Sequence, residues 1–497
     1  MHLGWGGFAS AHLGTLLNDI AAPQKGDWGV SAVSMRSGNR RDELEPQDGL
    51  YTVTERRADG DHTQLVDVVK ESLVAPEDPN AVIERMANPD TKVVTMTVTQ
   101  QGYDLPSADQ IASLDAPPTI HSCIIEAAKL RAERGVEPFT AVSLDNIPGN
   151  GDFLKRKLTE YAALTGDDSA AVLDQIATPN TMVDRITPAP TAEFKDEVEA
   201  NLGARDEAAI SAEPYRQLII ENVGDATTLP PLEDVPGVKF VDDVKPFEAA
   251  KIKMLNGSHM MMGALGRVAG FETVDQCMAD QDMGAFTKRF MSEVAATIDP
   301  IPGTNMQVYA DDLAERFSNP RMTDSVDRLA NDTSKKVHPR LFDALTDSIK
   351  KGTPNDALSV AAAGWVRFVA GEAPGHATPR TSDEMTVGLT DTGRLYTVSD
   401  PRAAELQEIA RANPENPDKL FDAVGLNLAS FGAEGSAVRR KVIQALDTMN
   451  KDSALSAVRS VTMRLDELPT PQVVAADRGG DAPSTPGTEP PKPGPSR

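Results

Sequence analysis

Cysteine is almost absent from this chain: Cys123 and Cys277 are the only two in 497 residues, and they lie far apart. No zinc spacing can be built from them and a disulfide framework is excluded, which points to a reducing, cytoplasmic setting. Long apolar runs are missing as well. With no stretch of 18 uninterrupted apolar residues, no membrane span is expected. The opening MHLGWGGFASAH lacks the basic start and long apolar core of a secretory signal. Positive charge is scarce: 49 Lys and Arg stand against 75 Asp and Glu, a formal charge of -26. Such a surface repels nucleic acid and anionic membranes, and its plain meaning is strong solvation. Aromatics make up only 5%, yet 40% apolar content over this length allows two or three domains with full cores. No internal repeat is visible.

What is present begins at once. Gly4-Trp-Gly6-Gly-Phe8-Ala9-Ser-Ala11-His12 fits G-x-G-x-x-G/A, a turn that lets backbone N–H groups approach a pyrophosphate. AHLGTLLNDI can form the helix this turn requires, and Trp28–Met35 reads as the next strand. Only Met1, His2 and Leu3 precede Gly4, so the first strand, an inner one in such a fold, is expected to be short. The tip of the second strand normally selects the cofactor, with an acid for NAD and Arg for NADP. Here it reads Met35-Arg36-Ser-Gly-Asn39-Arg40-Arg41-Asp42, which leaves NADP open beside NAD.

Lys92–Thr99 is a buried-strand pattern, residues 120–134 a helix, and Thr140–Leu144 another strand. The strand ends in Asp145-Asn146-Ile-Pro148-Gly-Asn150-Gly151, either a ligand-contacting loop or simply a sharp turn. Residues 152–165 read as a helix and 179–188 as a short strand between loops; Asp184 beside Arg185 suggests a structural ion pair. Prolines and acids at 224–245 mark a composition break. From 246 to about 467 the patterns are helical, with strand character only near Glu384–Val398. The Pro-rich end cannot bury a core. The expected division is an α/β Rossmann-type domain at 1–243, a mostly α-helical domain at 244–467, and a disordered tail at 468–497.

The densest chemistry lies in Lys251-Ile-Lys-Met-Leu-Asn256-Gly-Ser-His259. On a helix at about 100° per residue with Lys251 at zero, Glu248 falls at about 60°, His259 at about 80° and Asn256 at about 140°. A base candidate, a carboxylate, an imidazole and an amide thus share one side. A solvated polar edge would look the same. Gly257 lets a backbone or a substrate come close, and Met260, Met261 and Met262 read as core. Further on, Arg328 and Lys336 lie eight residues apart, with Asp332 as an ordinary charge partner.

Together these segments resemble the polyol-specific long-chain dehydrogenases, the family of mannitol 2-dehydrogenase and fructuronate (mannonate) reductase. The carrying residues are Gly4-x-Gly6-x-Phe8-x-x-Ala11-His12, Gln47-Asp-Gly-Leu-Tyr51, Thr97-x-Thr99-x-x-Gly102-Tyr103 and Asp145-Asn146-x-Pro148-x-Asn150-Gly151. Pro179-Asn180-x-Met182-Val183-Asp184-Arg185-Ile186-x-Pro188 and Lys251-x-x-x-Leu255-Asn256-Gly257-Ser258-His259 are the most specific. The match runs in order from residue 1 to about 370 and fades beyond about 400.

The resemblance implies metal-independent hydride transfer between an open-chain polyol and NAD, or NADP, bound at Gly4, Gly6, Phe8, Arg36 and Asn39. It makes Lys251 the general base, Asn256 and Asn146 the amides that hold the alkoxide, and Glu248 the acid beside the lysine. His259, Asp184, Arg328 and Lys336 would position a polyol, ketose or hexuronate in a monomer or small oligomer. Three departures matter: Ser10 where the family usually has Arg, Gln100 where it has Glu, and Asn39 near a usual Asp. Polyol oxidation to the 2-ketose is the leading expectation and fructuronate reduction the first alternative, with Arg328, Lys335 or Lys336 meeting the carboxylate. A catalytically inactive nucleotide-binding descendant is the second. No tyrosine has Lys at the fourth following position, which removes the short-chain dehydrogenase base.

Overall fold

The computed structural model describes residues 1–20, 28–107, 109–110, 118–166, 169–222, 229–378 and 385–462; the expected disordered tail lies outside them. Among the described residues, eleven strands belong to the first half. They are β1 (His2–Leu3), β2 (Val30–Ser34), β3 (Tyr51–Arg57), β4 (Gly60–Val66), β5 (Val69–Val74) and β6 (Val93–Met96). β7 (Thr140–Ser143), β8 (Thr181–Asp184), β9 (Ile210–Ala212), β10 (Gln217–Glu221) and β11 (Val238–Val241) follow. Five of them form a parallel sheet in the order β5-β2-β1-β6-β7. The innermost strand is indeed two residues long, with Leu3 paired to Val33 on one side and Met96 on the other.

Both faces of this sheet are covered, which explains its runs of Val and Ala rather than alternating polarity. On one face Leu3, Val33, Val94 and Met96 pack with Ile124, Ala128, Leu154 and Leu158, from the helices Ile120–Glu133 and Asn150–Thr165. On the other, Val30, Ala32 and Val142 meet Leu13, Leu16 and Ile20. Chain order reverses at β1, so a crevice opens at the carboxyl ends of β1, β6 and β7.

Two small sheets were not foreseen in full: β4-β3-β9 and β11-β10-β8. The polar lettering of β3 and β4 conceals the first, since Thr52, Thr54 and Glu55 are buried through hydrogen bonds and an ion pair rather than apolar contact. In the third sheet β8 runs antiparallel to β10, with Val183 opposite Leu218.

The second half is helical. Its axis is Asp356–Ala370, buried at every position from Ala357 onward, as expected of a helix apolar all round. Helices Gln281–Ala295, Gly432–Lys451 and Ala454–Thr462 surround it. Met260, Met261 and Met262 are core residues here. The hairpin Val387–Leu389 with Leu395–Thr397 accounts for the strand character near 384–398. Met182, Ile219, Val244, Phe247, Ala250 and Ile301 form a small apolar cluster that joins the two halves. Among the described residues no helix is long and apolar enough to cross a membrane.

Candidate active site

Gly4 occupies the sharpest point of the crevice. Its φ is +86°, and a Cβ there would lie 2.4 Å from the Thr97 carbonyl oxygen, so only glycine fits between β1 and β6. A cavity of about 580 Å³ opens on one side, lined by Gly4, Gly6, Phe8, Asn146, Asp184 and Lys251 among others. A second, of about 470 Å³, is lined by Arg36, Ser37, Asn39 and Arg40. Gly4, Thr97 and Thr99 border both. The two ends of an extended dinucleotide could therefore lie on either side of this glycine. Phe8 stacks on His12, ring centroids 5.0 Å apart, at the wall of the first cavity.

Around the second cavity the three arginines differ. Arg40 donates to Glu43 at 2.6 Å, to Ser10 Oγ at 3.0 Å and to the Ala208 carbonyl. An arginine thus reaches Ser10 from the strand tip, at the position where the resemblance had led one to expect Arg. Arg41 pairs with Glu77 and Asp42. Arg36 is exposed, and among the described residues its guanidinium has no partner.

Asp145 shows that the loop after β7 is both a turn and a scaffold. Its carboxylate accepts from the N–H groups of Val98 and Thr99 and from the Tyr103 hydroxyl, at 2.8 to 3.0 Å. These bonds hold Thr99 at a φ of +62°, a strained value for a residue with a side chain. Burial raises the Asp145 pKa, and the donors oppose the rise. Asn150 bonds to the carbonyls of Ser143 and Asp145 and to Thr181, tying β7 to β8. Between them, Asn146 projects into the first cavity.

Lys251 enters from the helical half and is 7% exposed. Its Nζ donates to Asn146 Oδ1 at 3.0 Å and to the Val183 carbonyl. A neutral amine has two N–H bonds and one lone pair. With both N–H bonds engaged, the lone pair is left for a proton from the cavity. Burial lowers the Lys251 pKa; Asp184 opposes this and Arg316 reinforces it, with Glu248 and Arg340 acting more weakly in opposite senses. Glu248 accepts from the Gly149 N–H at 3.0 Å, and burial raises its pKa.

The expectation of a regular α-helix through this stretch needs correction. Residues Lys251–Asn256 form a wider π-type turn, Gly257–Met261 return to α, and Met262–Gly266 widen again. Bonds from i to i+5 draw Lys251 and Asn256 closer in azimuth than the about 140° of an α-helix. Asn256 is half-buried, its amide without a partner among the described residues. Gly257 lets another backbone approach, as expected: a Cβ there would lie 2.4 Å from the Arg340 carbonyl oxygen.

Asp184 and Arg185 do not pair with each other, because neighbours in a strand point to opposite faces. Arg185 binds Glu55 at 3.0 Å, and Asp184 binds Arg316. Arg316 also grips Glu213, at 2.8 and 2.9 Å, and stacks over Tyr215 at 4.0 Å. Arg316 holds Asp184 below the usual carboxylate range despite burial, whereas burial still raises Glu213. Sequence reasoning missed Arg316, Glu213 and Tyr215, since nothing local marks a pairing across 132 residues.

His259 packs against Phe317, ring centroids 4.8 Å apart. Burial drops its pKa to about 4, so the imidazole is neutral at neutral pH. Arg328 and Lys336 are less well placed than expected. The Arg328 side chain is 63% exposed and doubly bonded to Asp324, at 2.8 and 2.5 Å. Lys336 donates to the Asn331 carbonyl at 2.9 Å, with Asp332 at 3.9 Å.

Comparison with known proteins gives two family matches: the mannitol dehydrogenase Rossmann domain over residues 1–234 and the mannitol dehydrogenase C-terminal domain over 243–449. A mannitol 2-dehydrogenase of Aspergillus oryzae is 32% identical, with 92% of each chain covered. A D-mannonate oxidoreductase of Escherichia coli is 33% identical over 86% of this chain and 87% of the relative. Among solved structures, a Pseudomonas fluorescens mannitol 2-dehydrogenase in ternary complex with NAD and D-mannitol superposes with a TM-score of 0.71. It is 26% identical and covers 93% of this chain and 94% of its own.

Proposed function

Since the chain belongs to the mannitol dehydrogenase family, we propose that it is an NAD(P)-dependent oxidoreductase interconverting a secondary alcohol of an open-chain polyol or hexuronate with its ketone. The observation that carries the mechanism is the Lys251 amine, buried, depressed in pKa and bonded to Asn146 at the wall of the Gly4 cavity. The residues around Gly4 fit a dinucleotide, because this glycine borders both cavities and Gly6 lines the first, leaving backbone open to its phosphates. When bound, that cofactor supplies the hydride acceptor for oxidation and the donor for reduction.

This chain's residues handle the proton. The Lys251 lone pair takes it from the substrate hydroxyl as the carbinol hydrogen leaves. Asn146, its Oδ1 occupied by the amine, turns its Nδ2 donor toward the developing alkoxide, and Asn256 supplies a second donor from the same wide turn. His259, neutral, offers a hydrogen bond to another hydroxyl, and Asp184 accepts one while Arg316 holds it. Glu248 passes the proton onward from Lys251. Two buried, unpaired cysteines support the reducing, cytoplasmic setting.

Initial rates of reduction of D-fructose and D-fructuronate, with NADH and then NADPH, test this reading. Turnover of either substrate is expected. Cofactor binding without turnover of any polyol or uronate would favour an inactive nucleotide-binding descendant.

A further inference from the structure

Three cations of the helical half lie within electrostatic reach of one another. The charges of Arg328 and Arg340 both act on Lys336, and that of Arg340 also acts on Lys251. Two of the three are already answered. Arg328 has both Asp324 oxygens, and Lys336 has the Asn331 carbonyl with Asp332 nearby. Arg340 is different. It is half-buried, and among the described residues its guanidinium has neither a hydrogen bond nor an ion pair. Burial and the neighbouring Arg328 both depress its pKa, and no carboxylate acts against them.

Its position is fixed by the backbone. Arg340 sits in a second wide turn, His338–Phe342, which packs on the Lys251–Asn256 turn. The Arg340 carbonyl lies against Gly257, immediately after Asn256. An unanswered, half-buried guanidinium is costly even in a protein of ordinary charge. In a chain with 26 more acidic than basic residues, leaving it unpaired is stranger still.

We propose that Arg340 is the carboxylate-binding residue of the substrate pocket, so that the preferred substrate is a sugar acid rather than a neutral polyol or ketose. This rests on the dehydrogenase reading above, and it names the substrate class within it. A planar guanidinium matches a carboxylate through two parallel N–H···O bonds. The turn that carries it packs on the Lys251–Asn256 turn, so a carboxylate held there belongs to the same molecule whose carbinol reacts. One uncompensated positive charge suits a carboxylate. A phosphate dianion would call for a second free cation, and the two cations in electrostatic reach of Arg340, Arg328 and Lys336, are both engaged.

The test compares kcat/KM for D-fructuronate, D-fructose and D-fructose 6-phosphate in the wild type, Arg340→Gln and Arg340→Lys. The wild type is expected to prefer fructuronate, and Arg340→Gln to lose on the order of 100-fold more on it than on fructose. Arg340→Lys should recover part of the gap, keeping the charge but not the fork. A wild type that prefers fructose or the phosphate overturns the proposal, as does an equal loss on all substrates. Turnover of none of them overturns the dehydrogenase reading, and this one with it. Should the variants fail to fold, calorimetry on the wild type with bound NADH decides: D-mannonate must bind more tightly than D-mannitol, and equal or weaker binding overturns the proposal.

Discussion

Arg316 holds both carboxylate oxygens of Asp184, at 2.7 and 3.1 Å, from a helix of the second half to a strand of the first. With Glu213 bound to the same guanidinium, two buried acids share one cation next to the Lys251 amine. The halves are therefore joined by charge at the point where the chemistry is placed.

Arg316→Gln should lower stability by roughly 3–5 kcal/mol, because it leaves two buried carboxylates facing each other without a counter-charge. Thermal unfolding measures this. The deficit should shrink as pH falls and the acids take up protons; a Tm within a degree of wild type at neutral pH would contradict the clamp.

Lys251→Ala should reduce turnover by about 10³-fold or more while NADH fluorescence titrations give nearly the wild-type affinity. Loss of cofactor binding in step with turnover would point to a structural role for the lysine.

The pH profile follows from the sign of the shift. Burial depresses the Lys251 pKa, so the free amine that oxidation needs forms at lower pH than for an ordinary lysine. Alcohol oxidation should rise with pH and level off, its inflection below the usual lysine range. Ketone reduction needs the ammonium form and should fall over the same interval. An inflection at the ordinary lysine value would remove Lys251 from its role.

Gly4→Ala should cost about 3 kcal/mol, from the positive φ and from a Cβ driven against the Thr97 carbonyl. Its NADH affinity should fall at least about 10-fold. An alanine variant with wild-type Tm and affinity would show that the strand ends can separate.

Arg36 should set the balance between cofactors. The acids near the strand tip are engaged, Glu43 with Arg40 and Asp42 with Arg41, leaving Asn39 and a free Arg36 on the cavity. NADPH should bind within about 10-fold of NADH, and Arg36→Ala should weaken NADPH alone. Equal weakening of both would assign Arg36 another role.

Legibility in the sequence followed the range of the interaction. The glycine turn, the strand pattern at 92–99 and the Lys251–His259 motif are local; the turn follows β1, strand β6 occupies Val93–Met96 of that pattern, and the motif is helical but widened at Lys251–Asn256. The sheet β4-β3-β9 was hidden because Glu55 and Thr52 are buried by partners at Arg185 and Asp206, far along the chain. Arg316 and Arg340 were silent for the same reason, as an arginine in a helix looks like surface until the fold brings its neighbours. Arg328 shows the converse: spacing suggested a ligand contact, but Asp324, one helical turn away, satisfies it first.

The wide turn at Lys251–Asn256 makes this site sensitive to how its backbone is wound as well as to residue type. The same residues in a regular α-helix would place Asn256 about 140° from Lys251 and turn everything downstream with it. Lys251, Asn256 and His259 would all survive such a rewinding, and so would the hydrophobic composition of the core. Only their phasing would be lost. A relative could thus keep every functional side chain of this protein and still be inert, its defect invisible in an inventory of residues and plain in the path of one helical turn.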